Sequence, residues 1–136
     1  MSASRVLVDS SVWIDFLNGN LHRASDLAAN LVDGERAMIG DLILLEVLQG
    51  FRSDWDFAQT KRRLAVIELR LIGGADIAVS AAQHYRFLRA RGITIRKSID
   101  LLIGTYCIAN NIALLHNDRD FDPLEQHLGL RVYRGL

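Results

Sequence analysis

The sequence predicts an α/β protein with a mainly parallel sheet and helices on both faces. Short aliphatic runs, such as residues 6–8 and 112–115, have the length and composition of buried strands. Segments with helical spacing separate these runs, and parallel strands need crossover connections of that kind. The 136 residues suit a single domain spanning 1–136. We therefore expect a three-layer α/β/α domain with a sheet of four to five strands.

The individual elements follow from apolar spacing and from the residues that begin and end each segment. Asp41 and Ser98 are placed to cap two helices at their N-termini, and Asn111 ends the second of these before a strand. In chain order we expect strand 5–9, helix 10–17, helix 22–32, strand 37–40, helix 41–50, helix 53–68, strand 69–72, helix 76–91, helix 99–110, strand 112–115, helix 123–127 and strand 130–133.

Composition favours a soluble protein of a reducing compartment. The single cysteine, Cys107, lies among apolar neighbours and fits a small buried hydrophobe better than a nucleophile. No stretch approaches the ~18 consecutive apolar residues of a membrane span. Asp9 interrupts the one N-terminal run that could serve as a signal-peptide core. We therefore expect an unprocessed, cytoplasmic protein without a membrane partner.

The charges are unevenly distributed although the net charge is zero. Residues 1–50 carry three basic and seven acidic side chains, residues 51–97 carry ten and four, and residues 98–136 carry three and five. Within the basic middle, residues 86–97 hold five positive charges and no acid. This run predicts either a surface that holds a polyanion near acidic chemistry or a solvated helix face with a basic loop.

Four carboxylates occupy positions where apolar residues are expected. Asp9 and Asp118 each follow an apolar strand, and parallel sheets place their active centres outside the carboxyl ends of their strands. Glu46 lies in a largely apolar helix after the second strand, and Asp100 lies in the first turn of a later helix. Each acid alone could be a cap or a solvated residue, whereas together they predict one acidic pocket at this edge.

Such a pocket predicts a divalent metal site. Two like charges ~4 Å apart repel by about 4 kcal/mol at an effective dielectric constant of 20, so clustered carboxylates take up protons or hold a cation. Oxygen-only ligands favour Mg²⁺ with Mn²⁺ as a substitute, and scattered histidines disfavour zinc. The ion would activate water for hydrolysis of a phosphodiester. The candidate ligands are Asp9, Glu46, Asp100 and Asp118, for either one ion or two.

Four short motifs follow one another at characteristic intervals. They are VDSSVWI at residues 8–14, EVLQG at 46–50, TIRKSIDLLI at 94–103 and HNDRDF at 116–121. Each motif is weakly specific, but the ordered set covers essentially the whole chain. This set resembles the PIN-domain ribonucleases, specifically the VapC toxins of bacterial toxin–antitoxin pairs.

The resemblance implies a PIN-like fold and an endoribonuclease, the toxin of a toxin–antitoxin pair, that depends on Mg²⁺ or Mn²⁺. It also implies a cognate antitoxin and a homodimer. One departure concerns His116, because many members of the family carry threonine at that position. The implied catalytic acids are Asp9, Glu46, Asp100 and Asp118, with Ser11 and Asp120 as accessory residues, and we expect Arg96 and Lys97 to hold flanking RNA phosphates.

Two other functions fit parts of the pattern. A phosphoaspartyl phosphatase or receiver-like domain also places acids at strand ends, but it needs an acid two residues after its nucleophile, where this chain has Ser11, or a late lysine, and no lysine follows Lys97. A non-catalytic PIN-fold module that binds a protein partner is the remaining alternative.

Overall fold

A parallel sheet organises the part of the chain that the computed structural model describes, residues 4–135. Within these residues the sheet has four strands, and all three pairings between neighbouring strands are parallel. This arrangement confirms the predicted three-layer, mainly parallel architecture. The strands are β1 (Val6–Val8), β2 (Ala37–Gly40), β3 (Glu68–Arg70) and β4 (Ala113–Leu115), in the spatial order β3-β2-β1-β4.

The helices form two groups that follow the path of the chain through the sheet. The strand order runs outward from β1 to β3 and then returns to β4 on the other side of β1. Because parallel crossovers are right-handed, this reversal places the helices before β3 and those after it on opposite faces. The helices are α1 (Ser10–Leu17), α2 (Arg23–Asp33), α3 (Asp41–Leu48), α4 (Asp54–Leu64), α5 (Ala75–Arg89), α6 (Ser98–Asn110) and α7 (Asp122–Leu128).

The core surrounds the central strands. Every residue of β1 is buried, as a strand covered on both faces requires. Trp13 from α1 and Phe121 from a short 3₁₀ turn at Arg119–Phe121 are the bulkiest fully buried side chains. Cys107 is buried as a free thiol within this core, as its apolar surroundings predict. None of the helices within residues 4–135 combines the length and the apolar character needed to cross a bilayer.

The third strand differs from its predicted position. Helix α4 ends at Leu64 and the strand begins at Glu68, so the predicted helix 53–68 was too long and the predicted strand 69–72 began too late. Pairing with β2 explains the shift, since Met38 lies opposite Glu68. The Ile72 amide leaves the sheet because it donates to Asp41 Oδ1 at 2.9 Å.

Three capping and strand predictions were also wrong. Ser98 is the first residue of α6 rather than its cap, which is Lys97 and offers no side-chain hydrogen bond. Asp41 likewise opens α3, after Gly40 at the cap position. The predicted strand 130–133 reduces to one isolated parallel bridge between Leu114 and Val132, so the sheet of the described residues has four strands.

Close packing of α7 against α6 depends on Gly104. A Cβ at this position would overlap the side chain of Leu124, which is fully buried. We expect Gly104→Ala to lower the free energy of unfolding by about 1 to 3 kcal/mol, because an added methyl group overpacks the contact. Urea denaturation provides the measurement. Gly50→Ala is the control, since its nearest neighbour is the Val47 carbonyl at 3.8 Å; equal effects of the two substitutions would contradict this account.

Candidate active site

Asp9 lies at the point where the strand order of the sheet reverses. It directly follows β1, and its amide donates to the Leu115 carbonyl at the end of β4 at 2.9 Å. Its side chain caps α1, accepting the Ser11 hydroxyl at 2.9 Å through Oδ2. The other oxygen, Oδ1, is buried without a hydrogen-bond partner among the described residues. Burial raises the pKa of Asp9, with the Ser11 hydroxyl and nearby amides acting against it.

Asp118 follows β4 on the neighbouring strand, as the sequence predicts. Its backbone amide donates to His116 Nδ1 at 3.1 Å. Its Oδ1 accepts the Asp120 amide at 2.9 Å and so caps the 3₁₀ turn. Its Oδ2 faces the Lys97 ammonium at 3.5 Å. An open cavity of about 560 Å³ borders this turn and is lined by residues 116–119 and Asp122.

Asp100 occupies the first turn of α6 and is buried, with 5% of its surface exposed. Its Oδ2 has no partner within residues 4–135. Burial raises the pKa of Asp100 most, the negative charge of Asp9 raises it as well, and Lys97 opposes both effects, so that the resulting pKa is about 7. A carboxyl group with this pKa is partly protonated at neutral pH unless a cation binds nearby.

Glu46 extends from α3 toward the same edge. It is half-buried, and its Oε1 lacks a hydrogen-bond partner in the described part of the chain. Burial raises its pKa, followed by repulsion from Asp9, whereas the Ser10 hydroxyl and Lys97 lower it. Asp9 and Glu46 each also raise the pKa of Asp100. Asp9, Glu46 and Asp100 therefore share one electrostatic environment.

A second group of acidic oxygens involves a different trio. One oxygen from each of Asp100, Asp118 and Asp120 lies within 4.8 Å of the other two. Asp100 thus belongs both to this trio and to the buried set with Asp9 and Glu46. The repulsion between Asp118 and Asp100 also raises the pKa of Asp100. The four acids singled out in the sequence, together with Asp120, surround one edge of the sheet.

The basic residues of the site differ in their contacts. Lys97 is exposed, and the charges of Asp100 and Asp118 raise its pKa. Arg96, beside it, is also exposed and makes no ion pair with any residue from 4 to 135. Arg119 follows Asp118 in sequence, yet Asp118 pairs with Lys97 instead.

Sequence reasoning missed two features of the site. It assigned Asp120 only an accessory role, whereas one oxygen of Asp120 lies within 4.8 Å of oxygens of both Asp100 and Asp118. The Asp-x-Asp spacing, in which the first acid caps a turn containing the second, could have indicated this grouping. It also gave no account of the hydrogen bond from Asp118 to His116, because a strand-end histidine has no distinctive pattern.

The protein is thus a parallel α/β domain with a cluster of carboxylates at the carboxyl ends of its central strands. The sequence matches the PIN domain family over residues 6–125. The chain therefore belongs to the PIN domain family, which confirms the predicted family and fold.

Similar proteins extend over nearly the whole chain. The chain is 27% identical over 129 residues to VapC ribonuclease Mb1587 of Mycobacterium bovis, covering 93% of this chain and 96% of that protein. The same values apply to ribonuclease VapC11 of Mycobacterium tuberculosis.

Solved structures share the fold. VapBC2 from Rickettsia felis, bound to a DNA fragment from its promoter, gives a TM-score of 0.68 at 19% identity and covers 94% of this chain and 96% of the other. A toxin–antitoxin complex from Klebsiella pneumoniae gives 0.65 at 18% identity, with coverages of 85% and 89%.

The raised pKa of Asp100 makes the stability of the metal-free protein depend on pH. The unfolded chain releases this proton near the ordinary pKa of 3.8, whereas the folded protein keeps it to about 7. The free energy of unfolding should therefore fall as pH rises between these values. We expect Asp100→Asn to flatten this decline and to stabilise the protein at pH 8 by about 1 to 2 kcal/mol. This is less than the whole pKa shift of Asp100 corresponds to, because the protonation of the neighbouring acids also changes with pH.

Chemical denaturation in EDTA across pH 4 to 8 measures this effect. Asp33→Asn is the control, since Asp33 is exposed at the end of α2. A pH dependence that is identical in wild type and Asp100→Asn would contradict the raised pKa.

Proposed function

We propose that this protein is a metal-dependent endoribonuclease and the toxin of a toxin–antitoxin pair. The observation that carries the proposal is the gathering of Asp9, Glu46, Asp100, Asp118 and Asp120 at one edge of a parallel sheet. The ribonuclease names of the similar mycobacterial proteins support the same reaction class. The proposal takes residues 1–136 as one nuclease domain, supported by the single core; residues 1–3 and 136 lie outside the described part.

The carboxylates fit a divalent cation. Asp9 Oδ1, Glu46 Oε1 and Asp100 Oδ2 are buried oxygens without partners among residues 4–135, and such atoms are costly unless a proton or a cation compensates them. The oxygen-only donor set suits Mg²⁺, with Mn²⁺ as a substitute. We propose Asp9, Asp100 and Asp118 as ligands, with Glu46 and Asp120 contributing directly or through water. A bound ion of this kind supplies a water of lowered pKa and neutralises charge on phosphate oxygens.

The protein side chains prepare this site before substrate binds. The Ser11 hydroxyl holds Asp9 Oδ2, which leaves the buried Oδ1 without a partner among the described residues. The Asp120 amide holds Asp118 Oδ1, so Oδ2, which faces the exposed Lys97 ammonium at 3.5 Å, is the oxygen proposed for ligation. Carboxylates held in this way need little reorganisation during the reaction, and such preorganisation lowers the activation barrier.

Two basic residues are placed to hold RNA next to the acids. Lys97 lies 3.5 Å from Asp118 Oδ2, and Arg96 is exposed beside it. Their charges would bind phosphates on either side of the scissile bond and offset the negative potential that otherwise repels RNA.

We further propose an antitoxin partner, a homodimer and a cytoplasmic location for this protein. The neighbouring solved structures are described as a VapBC2 assembly on promoter DNA and as a toxin–antitoxin complex, which supports an antitoxin partner for this chain. Exposed apolar side chains such as Trp55, Val66 and Leu71 offer surface for an antitoxin or for a homodimer. The free, buried Cys107 is compatible with the reducing cytoplasm.

The acidic site is tested by removing one charge from it. We expect Asp9→Asn to reduce cleavage of RNA at least about 100-fold in Mg²⁺, because it removes a proposed ligand while keeping the side chain's size. Gel analysis of an RNA mixture measures cleavage, and circular dichroism checks the fold. Asp33→Asn serves as the control. If Asp9→Asn cuts as fast as wild type, the assignment is wrong; absence of Mn²⁺ binding to wild type in calorimetry would favour a non-catalytic module instead.

The RNA contacts are tested through salt dependence. In an Asp9→Asn background, which prevents cleavage, we expect Arg96→Gln with Lys97→Gln to reduce the slope of log affinity against log salt by about 1.4, since each contact to single-stranded RNA contributes about 0.7. Fluorescence anisotropy with labelled single-stranded RNA in a KCl series measures the slope. Arg62→Gln with Arg63→Gln removes equal charge from exposed positions of α4; equal slope changes in both pairs would refute a specific role for Arg96 and Lys97.

A further inference from the structure

His116 connects the hydrophobic core to the turn that carries two of the acids. It directly follows β4, and its ring packs on the buried ring of Phe121, with centroids 4.8 Å apart and planes tilted by 43°. Phe121 ends the 3₁₀ turn, whose first hydrogen bond joins the Phe121 amide to the Asp118 carbonyl at 3.1 Å. The imidazole is therefore held in place by the same turn that it borders.

The hydrogen bond to His116 fixes the chemical state of its ring. The Asp118 backbone amide lies 3.1 Å from Nδ1, and a backbone amide can only donate. Nδ1 is therefore the acceptor, and the proton of the neutral ring lies on Nε2. Nε2 itself is buried and has no partner in the described chain.

This bond is the first of two that link His116 to Asp118 and then Asp118 to the backbone of Asp120. His116 Nδ1 holds the amide of Asp118, and Asp118 Oδ1 in turn holds the amide of Asp120 at 2.9 Å. The two acids contribute two of the three oxygens that lie within 4.8 Å of one another, Asp100 contributing the third. Without an acceptor at Nδ1, the Asp118 amide loses its partner, and the turn loses the contact that sets its direction after β4.

We propose that His116 is a positioning residue whose Nδ1 acceptor fixes the turn presenting Asp118 and Asp120, and that it acts neither as a proton carrier nor as a metal ligand. The inference rests on the proposed metal site, because its consequence is a well-ordered pair of ligands. A hydrogen-bond partner behind a ligand typically changes metal affinity by about 10- to 100-fold when it is removed.

The test compares two substitutions of similar size that differ in the acceptor. His116→Asn keeps an oxygen acceptor at the position of Nδ1, whereas His116→Leu has none, and both lose the ring that packs on Phe121. We expect His116→Leu to weaken binding of Mn²⁺ to the full-length protein at least about 10-fold, and His116→Asn to remain within about 3-fold of wild type. Isothermal titration calorimetry at pH 8 provides the measurement. His127→Leu, at an exposed position of α7, is the matched control and should bind like wild type.

A second measurement uses the metal-free wild-type protein and does not depend on folding of the variants. Long-range ¹H–¹⁵N spectra should show the His116 proton on Nε2, and hydrogen exchange should show protection of the Asp118 amide. A proton on Nδ1 or an unprotected Asp118 amide would overturn the inference. Equal Mn²⁺ affinities of the Asn and Leu variants would also overturn it, because ring packing would then explain any loss. Failure of wild type to bind Mn²⁺ would instead count against the proposed function.

Discussion

Repulsion and desolvation of carboxylates at the edge of the sheet govern the rest of this structure. Asp9 and Asp100 are buried, Glu46 is half-buried, and the pKa of each is raised chiefly by burial. Folding therefore holds carboxyl groups where their ionised form costs stability, and hydrophobic burial elsewhere must offset that cost. An arrangement that only stabilised the fold would place apolar residues at these positions. Buried carboxylate oxygens without partners among residues 4–135 are instead characteristic of a site that is completed by a ligand.

The topology of the sheet brings the acids together. Because the chain leaves β1 in one direction and returns to β4 on its other side, the order of the strands reverses between β1 and β4, which is where parallel α/β sheets place their sites. Asp9 and Asp118 directly follow these two strands. Helices α3 and α6 begin at the same edge, so Glu46 and Asp100 approach it from the two faces. Residues as distant in sequence as Asp9 and Asp100 thus share one electrostatic environment.

Sequence patterns predicted elements well where local chemistry decides them. The strand at β1 and the helices α1, α2 and α6 lie within a residue or two of their predicted bounds, because apolar runs and breaking residues mark them. Predictions failed where pairing or side-chain contacts decide. Glu68 belongs to β3 because it pairs with Met38 of β2. Ile72 lies outside β3 because its amide donates to the Asp41 side chain. Residues near Val132 make one bridge rather than a strand.

The candidate site divides in the same way. The sequence by itself determined which acids stand at strand ends and helix starts, since burying an acid beside an apolar run is unusual whatever its surroundings. Only the tertiary structure decided how they group. It places Asp120 with Asp100 and Asp118, pairs Lys97 rather than Arg119 with Asp118, and joins His116 to the Asp118 amide. The physical reason is that the sequence gives the identity of each side chain and its local element. The distances between side chains instead depend on how elements that are distant in sequence pack together.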